Sequence, residues 1–144
     1  MTEIAWMSQA AERQHDIGAH VSVAPMRILV SEGSSLTSRE TITALGPAGH
    51  TIDVMDPDPL CLSRFSRWVR RVIRCPPIGK DPIGYLDAVV AQIAREPYDV
   101  LLPTHEQAYL FASMRARIPG EVGLAVAEAS AFAGCRARSS SRAC

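Results

Sequence analysis

Two short polar segments carry groups that could bind a small polar ligand. The first, Glu32-Gly33-Ser34-Ser35, offers backbone amides and hydroxyls, and such groups at the start of a helix bind anions. The second, Pro103-Thr104-His105-Glu106, brings a carboxylate that could meet a polar or amino group of a ligand, with Thr104 ordering the loop. The predicted ligand-facing residues are therefore Glu32, Gly33, Ser34, Thr104 and Glu106.

Each segment also has a purely structural interpretation. The first lacks both the Gly-x-Gly-x-x-Gly pattern and the lysine of a phosphate-binding loop, so a plain strand-to-helix turn explains it equally well. In the second, Thr104 and Gln107 have the spacing of a capping box, which would place Glu106 in the first turn of a helix. The helix dipole alone favours a carboxylate there. His105 could assist Glu106, or it could be an ordinary solvated loop residue.

Two further acids lie near the end of the second predicted strand. Asp53 and Asp56 lie where a dinucleotide-binding fold keeps the acid that binds ribose. Without the glycine pattern this signal is weak. The run Asp56-Pro57-Asp58-Pro59 is equally typical of a turn.

Sequence signals for strands and helices alternate along the chain. The strands and helices that they predict must position the two polar segments. Short apolar or β-branched runs predict five strands, at residues 27–30, 51–55, 71–75, 98–102 and 122–126. Polar turns or prolines follow most of these runs. Such alternation is typical of a mostly parallel sheet covered by helices on both faces.

Capping signals predict where two of the intervening helices begin. Thr37 and Glu40 have capping-box spacing before an apolar face that includes Ile42. Asp81 is a good N-cap, and Pro82 suits the first helical position after it.

Apolar residues at helical spacing predict the faces that the other helices bury. A second helix is expected from Leu62, Phe65 and Val69; the third buries Tyr85, Leu86, Val89, Val90 and Ile93; the fourth buries Leu110, Phe111, Met114 and Ile118. A last helix is expected to begin near Ser130.

The predicted fold is therefore α/β and Rossmann-like, with three layers. We expect a mostly parallel sheet of strand order 3-2-1-4, with the fifth strand at the edge. In such open sheets, ligands bind beyond the carboxyl ends of the strands, at the point where the strand order reverses. Here that point lies between strands one and four, so the two polar segments should meet there.

Composition excludes several classes of function. The 144 residues include 15 Lys or Arg and 15 Asp or Glu, so the net charge is zero and a general nucleic-acid or membrane-surface binder is not expected. No apolar run reaches the roughly 20 residues that span a bilayer, and no signal peptide is evident, which favours a cytoplasmic location. Amphipathic structure with solvated side chains explains the arginines at Arg64, Arg67, Arg70, Arg71 and Arg74.

The cysteines do not form a metal-binding or disulfide pattern. Cys61, Cys75, Cys135 and Cys144 contain no Cys-x-x-Cys pair, and the four histidines are scattered. We therefore expect no metal site, and we expect thiols that stay reduced.

The order of these segments resembles the opening unit of the ATP-grasp carboxylate–amine ligases. The resemblance covers residues 26–133. It is carried by Met26-Arg27-Ile28-Leu29-Val30 with Glu32-Gly33, Ala44-Leu45-Gly46, Ala48-Gly49-His50, Leu62-Ser63-Arg64-Phe65-Ser66-Arg67 before the third strand, and Asp99-Val100-Leu101-Leu102-Pro103-Thr104 with Glu106.

The resemblance implies a pre-ATP-grasp domain that helps to bind a small carboxylate or amine substrate. In such enzymes ATP and Mg²⁺ are held by two later lobes, and the amine attacks an acyl phosphate. No residue of this chain matches the ATP lysines or the metal-binding Glu and Asn of those lobes. The resemblance therefore implies a ligase lineage with no cofactor in this chain, little activity of the chain alone, and apolar docking surface that could support self-association.

The two ends of the chain carry separate expectations. Residues 1–25 are interpreted as a flexible extension, with Met26 as an alternative start, and residues 26–133 as the domain. Residues 134–144 lack acids and large apolar side chains, which predicts a disordered tail. Reading the codons from Gly134 one base out of phase permits a family-like continuation, so we interpret the tail as a frameshift that replaced the ATP-binding lobes.

A second class of function stays open from the sequence. The chain could be a stand-alone Rossmann-like module that binds a small molecule or nucleotide and acts in regulation. Binding of a nucleotide by the domain alone would favour this alternative.

Overall fold

The computed structural model describes residues 24–127. Within them, five strands form one parallel sheet of order β3-β2-β1-β4-β5. The strands are β1 (Arg27–Val30), β2 (Thr51–Asp56), β3 (Val69–Arg74), β4 (Val100–Leu102) and β5 (Gly123–Leu124). The predicted fold class and strand order are confirmed.

Three α-helices cover the two faces of the sheet: α1 (Leu36–Leu45), α2 (Pro82–Arg95) and α3 (Gln107–Ser113). Ile42 of α1 packs on one face, against Ile28 and Val54. Tyr85 of α2 and Phe111 of α3 pack on the other face, in the cluster that includes Leu29, Met55 and Leu101. The central strand β1 is apolar on both sides because both of its faces are covered.

The start of α2 follows the predicted chemistry. The Asp81 carboxylate accepts a hydrogen bond from the Gly84 amide at 2.8 Å, and Pro82 occupies the first helical position. The apolar face is confirmed as well, because Tyr85, Leu86, Val89 and Ile93 are buried and Val90 is partly buried.

Both predicted capping boxes are wrong. Ser35, not Thr37, caps α1, because its extended backbone lets its hydroxyl accept from the Ser38 amide at 3.1 Å. Thr37 lies inside that helix. Helix α3 begins only at Gln107, so Glu106 is the capping position and not part of the first turn, and no side chain caps this helix.

The predicted second helix is also wrong. Residues Leu62–Phe65 form only a short 3₁₀ helix, and Val69 already belongs to β3. Leu62 and Phe65 do not share a buried face, since they are 42% and 77% exposed. Apolar spacing was misleading here because these side chains face solvent.

Other boundaries differ by smaller amounts. Strand β3 begins two residues earlier than predicted, whereas β4 and β5 are shorter than predicted. Helix α3 ends at Ser113, and a 3₁₀ turn (Arg115–Arg117) leads to the buried Ile118. Residues 1–23 of the expected extension, the helix near Ser130 and the tail at 134–144 lie outside the described residues. Between residues 24 and 127, no helix combines the length and the apolar character needed to cross a bilayer.

A buried carboxylate joins β2 to the edge strand. Asp53 is fully buried, and it accepts hydrogen bonds from the Arg70 Nε at 2.8 Å and the Tyr98 hydroxyl at 2.6 Å. A register shift between Ile52 and Asp53 brings the consecutive residues Arg70 and Arg71 to this one carboxylate. The expectation that Arg70 and Arg71 are merely solvated is therefore wrong.

Glu96 extends this network at the amino edge of the sheet. It follows α2, and its carboxylate accepts from Arg27 at 2.8 Å and from Arg70 at 2.9 Å, and it also pairs with Arg71. Hydrogen bonds from Arg70 and Arg71 hold the pKa of Glu96 below its usual value. The carboxylates in this part of the sheet are thus matched by cations.

We expect the double variant R70M/R71M to be strongly destabilised, because it leaves the Asp53 carboxylate buried without a cation. Removing the partner of a buried charge costs about 3–5 kcal/mol. Urea unfolding at neutral pH measures the loss. The matched control is R74M, an exposed arginine of the same strand that makes no ion pair within the described residues, and its effect should stay within about 0.5 kcal/mol.

This deficit should also depend on pH. Burial acts to raise the pKa of Asp53, but hydrogen bonds from Arg70 and Tyr98 and the arginine charges outweigh it, so the pKa lies below its ordinary value. Stability from a lowered pKa is present above the unfolded pKa and is lost as the pH falls through the folded pKa. The deficit of R70M/R71M should therefore shrink below about pH 4. A deficit that persists unchanged into strong acid would contradict this explanation.

Candidate functional site

A pocket of about 350 Å³ lies at the carboxyl edge of the sheet, and we call it the rim pocket. Loops from four strands line it: Ser31, Glu32, Ser34 and Ser35 after β1; Asp56 and Pro57 at the end of β2; Pro77, Ile78 and Gly79 after β3; and His105, Glu106 and Gln107 after β4, together with Tyr85 of α2. It includes the point between β1 and β4 where the strand order reverses, which is where open α/β sheets bind ligands.

The predicted ligand-facing residues meet at this one edge. Glu32, Ser34 and Glu106 line the rim pocket directly. Gly33 and Thr104 belong to the same two loops but are not among the lining residues. The prediction that the two distant segments come together is confirmed, whereas their binding of a ligand stays a prediction.

Asp56 holds the first loop in place. Its buried carboxylate accepts from the Gly33 amide at 2.9 Å and the Ser34 hydroxyl at 2.8 Å through one oxygen, and from the Asp58 amide at 2.8 Å through the other. The Gly33 amide and the Ser34 hydroxyl are thus already bonded to a carboxylate. This disfavours the expected role of these groups in binding an anion. It also assigns Asp56 to loop anchoring, and not to the ribose of a dinucleotide.

Gly33 is needed for close packing beneath the loop. A Cβ atom at this position would lie 2.6 Å from Val54 Cγ1 and 2.7 Å from Cys61 Sγ. The Gly33 carbonyl also accepts from the Ser63 amide at 2.9 Å. The glycine therefore serves contact with its neighbours and not approach to a phosphate.

Thr104 links the two loops. Its hydroxyl accepts from the Ser38 hydroxyl at 3.0 Å and lies 3.4 Å from a carboxylate oxygen of Glu32. The Ser31 amide donates to the Leu102 carbonyl at 3.1 Å, which joins the ends of β1 and β4. Thr104 thus orders its loop, as predicted, but through contacts with Ser38 and Glu32 and not by capping a helix.

The rim pocket includes several residues that were not predicted as site residues, among them Tyr85, Ser31 and Gln107. Tyr85 was assigned only to an apolar helix face, but its hydroxyl donates to the Ser31 carbonyl at 2.6 Å, and burial raises its pKa. Ser31 and Gln107 are 1% and 5% exposed, yet the Ser31 Oγ and the Gln107 Oε1 have no hydrogen-bond partner. Their positions directly after β1 and at the start of α3 are the sequence signal that could have identified them.

The charged lining of the rim pocket is acidic. Glu32, Asp56 and Glu106 contribute carboxylates, and neither Lys nor Arg is among the lining residues. The phosphates of MgATP do not fit this set, since it supplies no cation and the Gly33 amide is already bonded to Asp56. Residues 24–127 contain no group of three or more His, Cys, Asp and Glu arranged to hold a metal ion.

The two described cysteines are buried and unpaired. Burial raises the pKa of Cys61, and burial raises that of Cys75 to about 12. Both thiols are therefore protonated and unreactive near neutral pH. Cys135 and Cys144 lie outside the described residues.

Comparisons with known proteins leave the family of the chain open. A scan against protein-family models finds no matching family, and a search of curated proteins finds no significant match.

We expect G33A to destabilise the fold, because the new methyl group would collide with Val54 and Cys61. Overpacking of this kind typically costs about 1–3 kcal/mol. Chemical denaturation measures the loss. G79A is the matched control, since Gly79 also lines the rim pocket but its Cβ would meet no heavy atom within 4 Å. Equal stability of the two variants would contradict the packing role of Gly33.

Proposed function

We propose that residues 24–127 form the substrate-binding domain of an ATP-grasp carboxylate–amine ligase, and that the rim pocket holds its small carboxylate or amine substrate. The observation that carries this proposal is the meeting of two loops, Glu32-Gly33-Ser34 and Thr104-His105-Glu106, in one pocket. These are the loops in which the sequence resembles that family. Their meeting point is also the expected ligand site of an open parallel sheet.

The proposal divides the pocket residues by role. Glu32 and Glu106 would contact the substrate, since both carboxylates line the pocket. Asp56 and Thr104 would position them, because Asp56 holds the first loop and Thr104 links it to the second. These residues would bind and orient a substrate, and the proposal assigns them no part in holding the nucleotide.

A cytoplasmic location belongs to this proposal. An ATP-dependent ligase needs a compartment that contains ATP, and the free thiols of Cys61 and Cys75 suit a reducing compartment.

We expect small acids or amines, but not MgATP, to bind at the rim pocket of the full chain. A panel of short carboxylates, amines and amino acids, titrated separately into ¹⁵N-labelled protein, should contain members that shift the amides of Ser31, Glu32 and Gln107. E106Q should change the affinity of the panel members that bind. For a ligand whose charged hydrogen bond to Glu106 is removed, the affinity should fall by about tenfold or more. E40Q, an exposed carboxylate on α1 outside the pocket, is the control and should change nothing.

Two results would overturn the proposal. Saturable MgATP binding at these amides would favour the stand-alone nucleotide-binding module. A panel in which no member binds at the rim would remove the substrate-binding role altogether.

Self-association is also expected, through a groove lined by Arg39, Thr43, Leu62, Phe65, Ser66, Arg67 and Trp68. Phe65 is 77% exposed there, and burying a large apolar side chain yields about 1.5–3 kcal/mol. F65S should therefore weaken self-association by at least about tenfold in sedimentation equilibrium. The control is I83S, which changes an exposed apolar side chain of α2 outside this groove. A chain that is monomeric at all concentrations would contradict this expectation.

A further inference from the structure

The acids of the rim pocket differ in how far their hydrogen-bonding capacity is used. Asp56 already accepts three hydrogen bonds from its own loops. Glu32 has one contact, at 3.4 Å to Thr104 Oγ1, and Glu106 is exposed at the mouth of the pocket. Glu32 and Glu106 therefore retain acceptor capacity on the surface that a ligand would meet.

Neutral groups in the wall add to this excess of acceptors. Gln107 is 5% exposed, and its buried Oε1 is an acceptor without a donor. Ser31 is 1% exposed, and its unpartnered hydroxyl can also accept. Two lining side chains that are more than nine-tenths buried therefore have unused acceptor capacity, which a ligand with donors could satisfy.

Four donors at or beside the rim pocket are already bonded within the protein. The Gly33 amide and the Ser34 hydroxyl donate to Asp56, and the Ser38 amide donates to the capping Ser35. The Tyr85 hydroxyl donates to the Ser31 carbonyl. With no Lys or Arg in the lining, a carboxylate ligand would meet like charges without a compensating cation.

Apolar surface completes the pocket. Pro57, Pro77 and Ile78 form part of the lining beside the polar groups. A short hydrocarbon chain could pack there while a polar head meets the acceptors. An ammonium group matches such a set of acceptors, because it has three donors and no acceptor.

We propose that the rim pocket selects a protonated primary amine on a short hydrocarbon chain, with the ammonium bound by Glu106, Glu32 and the Gln107 Oε1. This inference rests on the proposed function and names which of the two ligase substrates residues 24–127 hold: the amine and not the carboxylate.

Three probes that share one carbon skeleton test this selection: n-butylammonium, butyrate and n-butanol. Each is titrated into the ¹⁵N-labelled full chain, and the amides of Ser31, Glu32 and Gln107 are followed. Only n-butylammonium should shift them saturably, and added salt should weaken its binding because the pocket mouth is open to solvent.

Variants of the wall identify the groups that hold the ammonium. E106Q and Q107L should each weaken n-butylammonium binding by about tenfold or more, and E106K should reverse the preference toward butyrate. E40Q is the control and should bind n-butylammonium as the unchanged chain does. Since Glu106 is exposed, E106Q and E106K test the proposal even if Q107L fails to fold.

The remaining outcomes of these titrations overturn amine selection, the proposed function or the assignment of the binding residues. Butyrate binding at the rim without n-butylammonium binding would overturn amine selection and leave the proposed function standing. If none of the three probes binds but a carboxylate of the larger panel does, the proposal of amine selection fails and the proposed function is retained. If neither the probes nor any member of the panel bind at the rim, both proposals fail. Amine binding that is unchanged in E106Q and Q107L would overturn the assignment of these residues.

Discussion

The buried carboxylate of Asp56 is the contact on which the rim pocket depends. It lies at the end of β2 and bonds to the loop that follows β1, so it links two neighbouring strands beyond the point where their ladder ends. A single carboxylate here takes up the Gly33 amide, the Ser34 hydroxyl and the Asp58 amide. These bonds hold the loop after β1 against the end of β2, where both line the rim pocket.

The acids at the two edges of the sheet have different partners. Around Asp53, hydrogen bonds and two arginines compensate the carboxylate, and Glu96 closes the network. Compensation of this kind is what a buried charge requires for stability. At the rim, the three lining carboxylates have no Lys or Arg beside them in the pocket. The first arrangement compensates its carboxylates within the fold, whereas the second leaves Glu32 and Glu106 without a Lys or Arg in the lining.

Patterns that depend on one residue and its immediate neighbours were readable from the sequence. The apolar run of β1 indicated a central strand, and Asp81-Pro82 indicated the start of a helix, because each signal is local. The alternation of strands and helices indicated a parallel sheet, and the assumed strand order, which the structure has, placed the two polar loops at one edge.

Two kinds of feature could not be predicted from the sequence: those in which neighbouring residues compete for one role, and those that depend on partners distant in the chain. Ser35 and Thr37 are both capping hydroxyls in sequence, and the backbone conformation at Ser35 decides between them. Leu62, Phe65 and Val69 have helical spacing, but no neighbouring element covers the first two. Arg70 and Arg71 both pair with Asp53 because the strand register shifts between Ile52 and Asp53. No sequence pattern predicts such a shift. The unpartnered groups of Ser31 and Gln107 became visible only once packing had buried them.

A crystal structure of the full chain grown with n-butylammonium would test the central claim most directly. The account predicts the nitrogen within hydrogen-bonding distance of a Glu106 carboxylate oxygen and the Gln107 Oε1, with the Gly33 amide still bonded to Asp56. An ammonium found away from the rim, or a first loop released from Asp56, would contradict it.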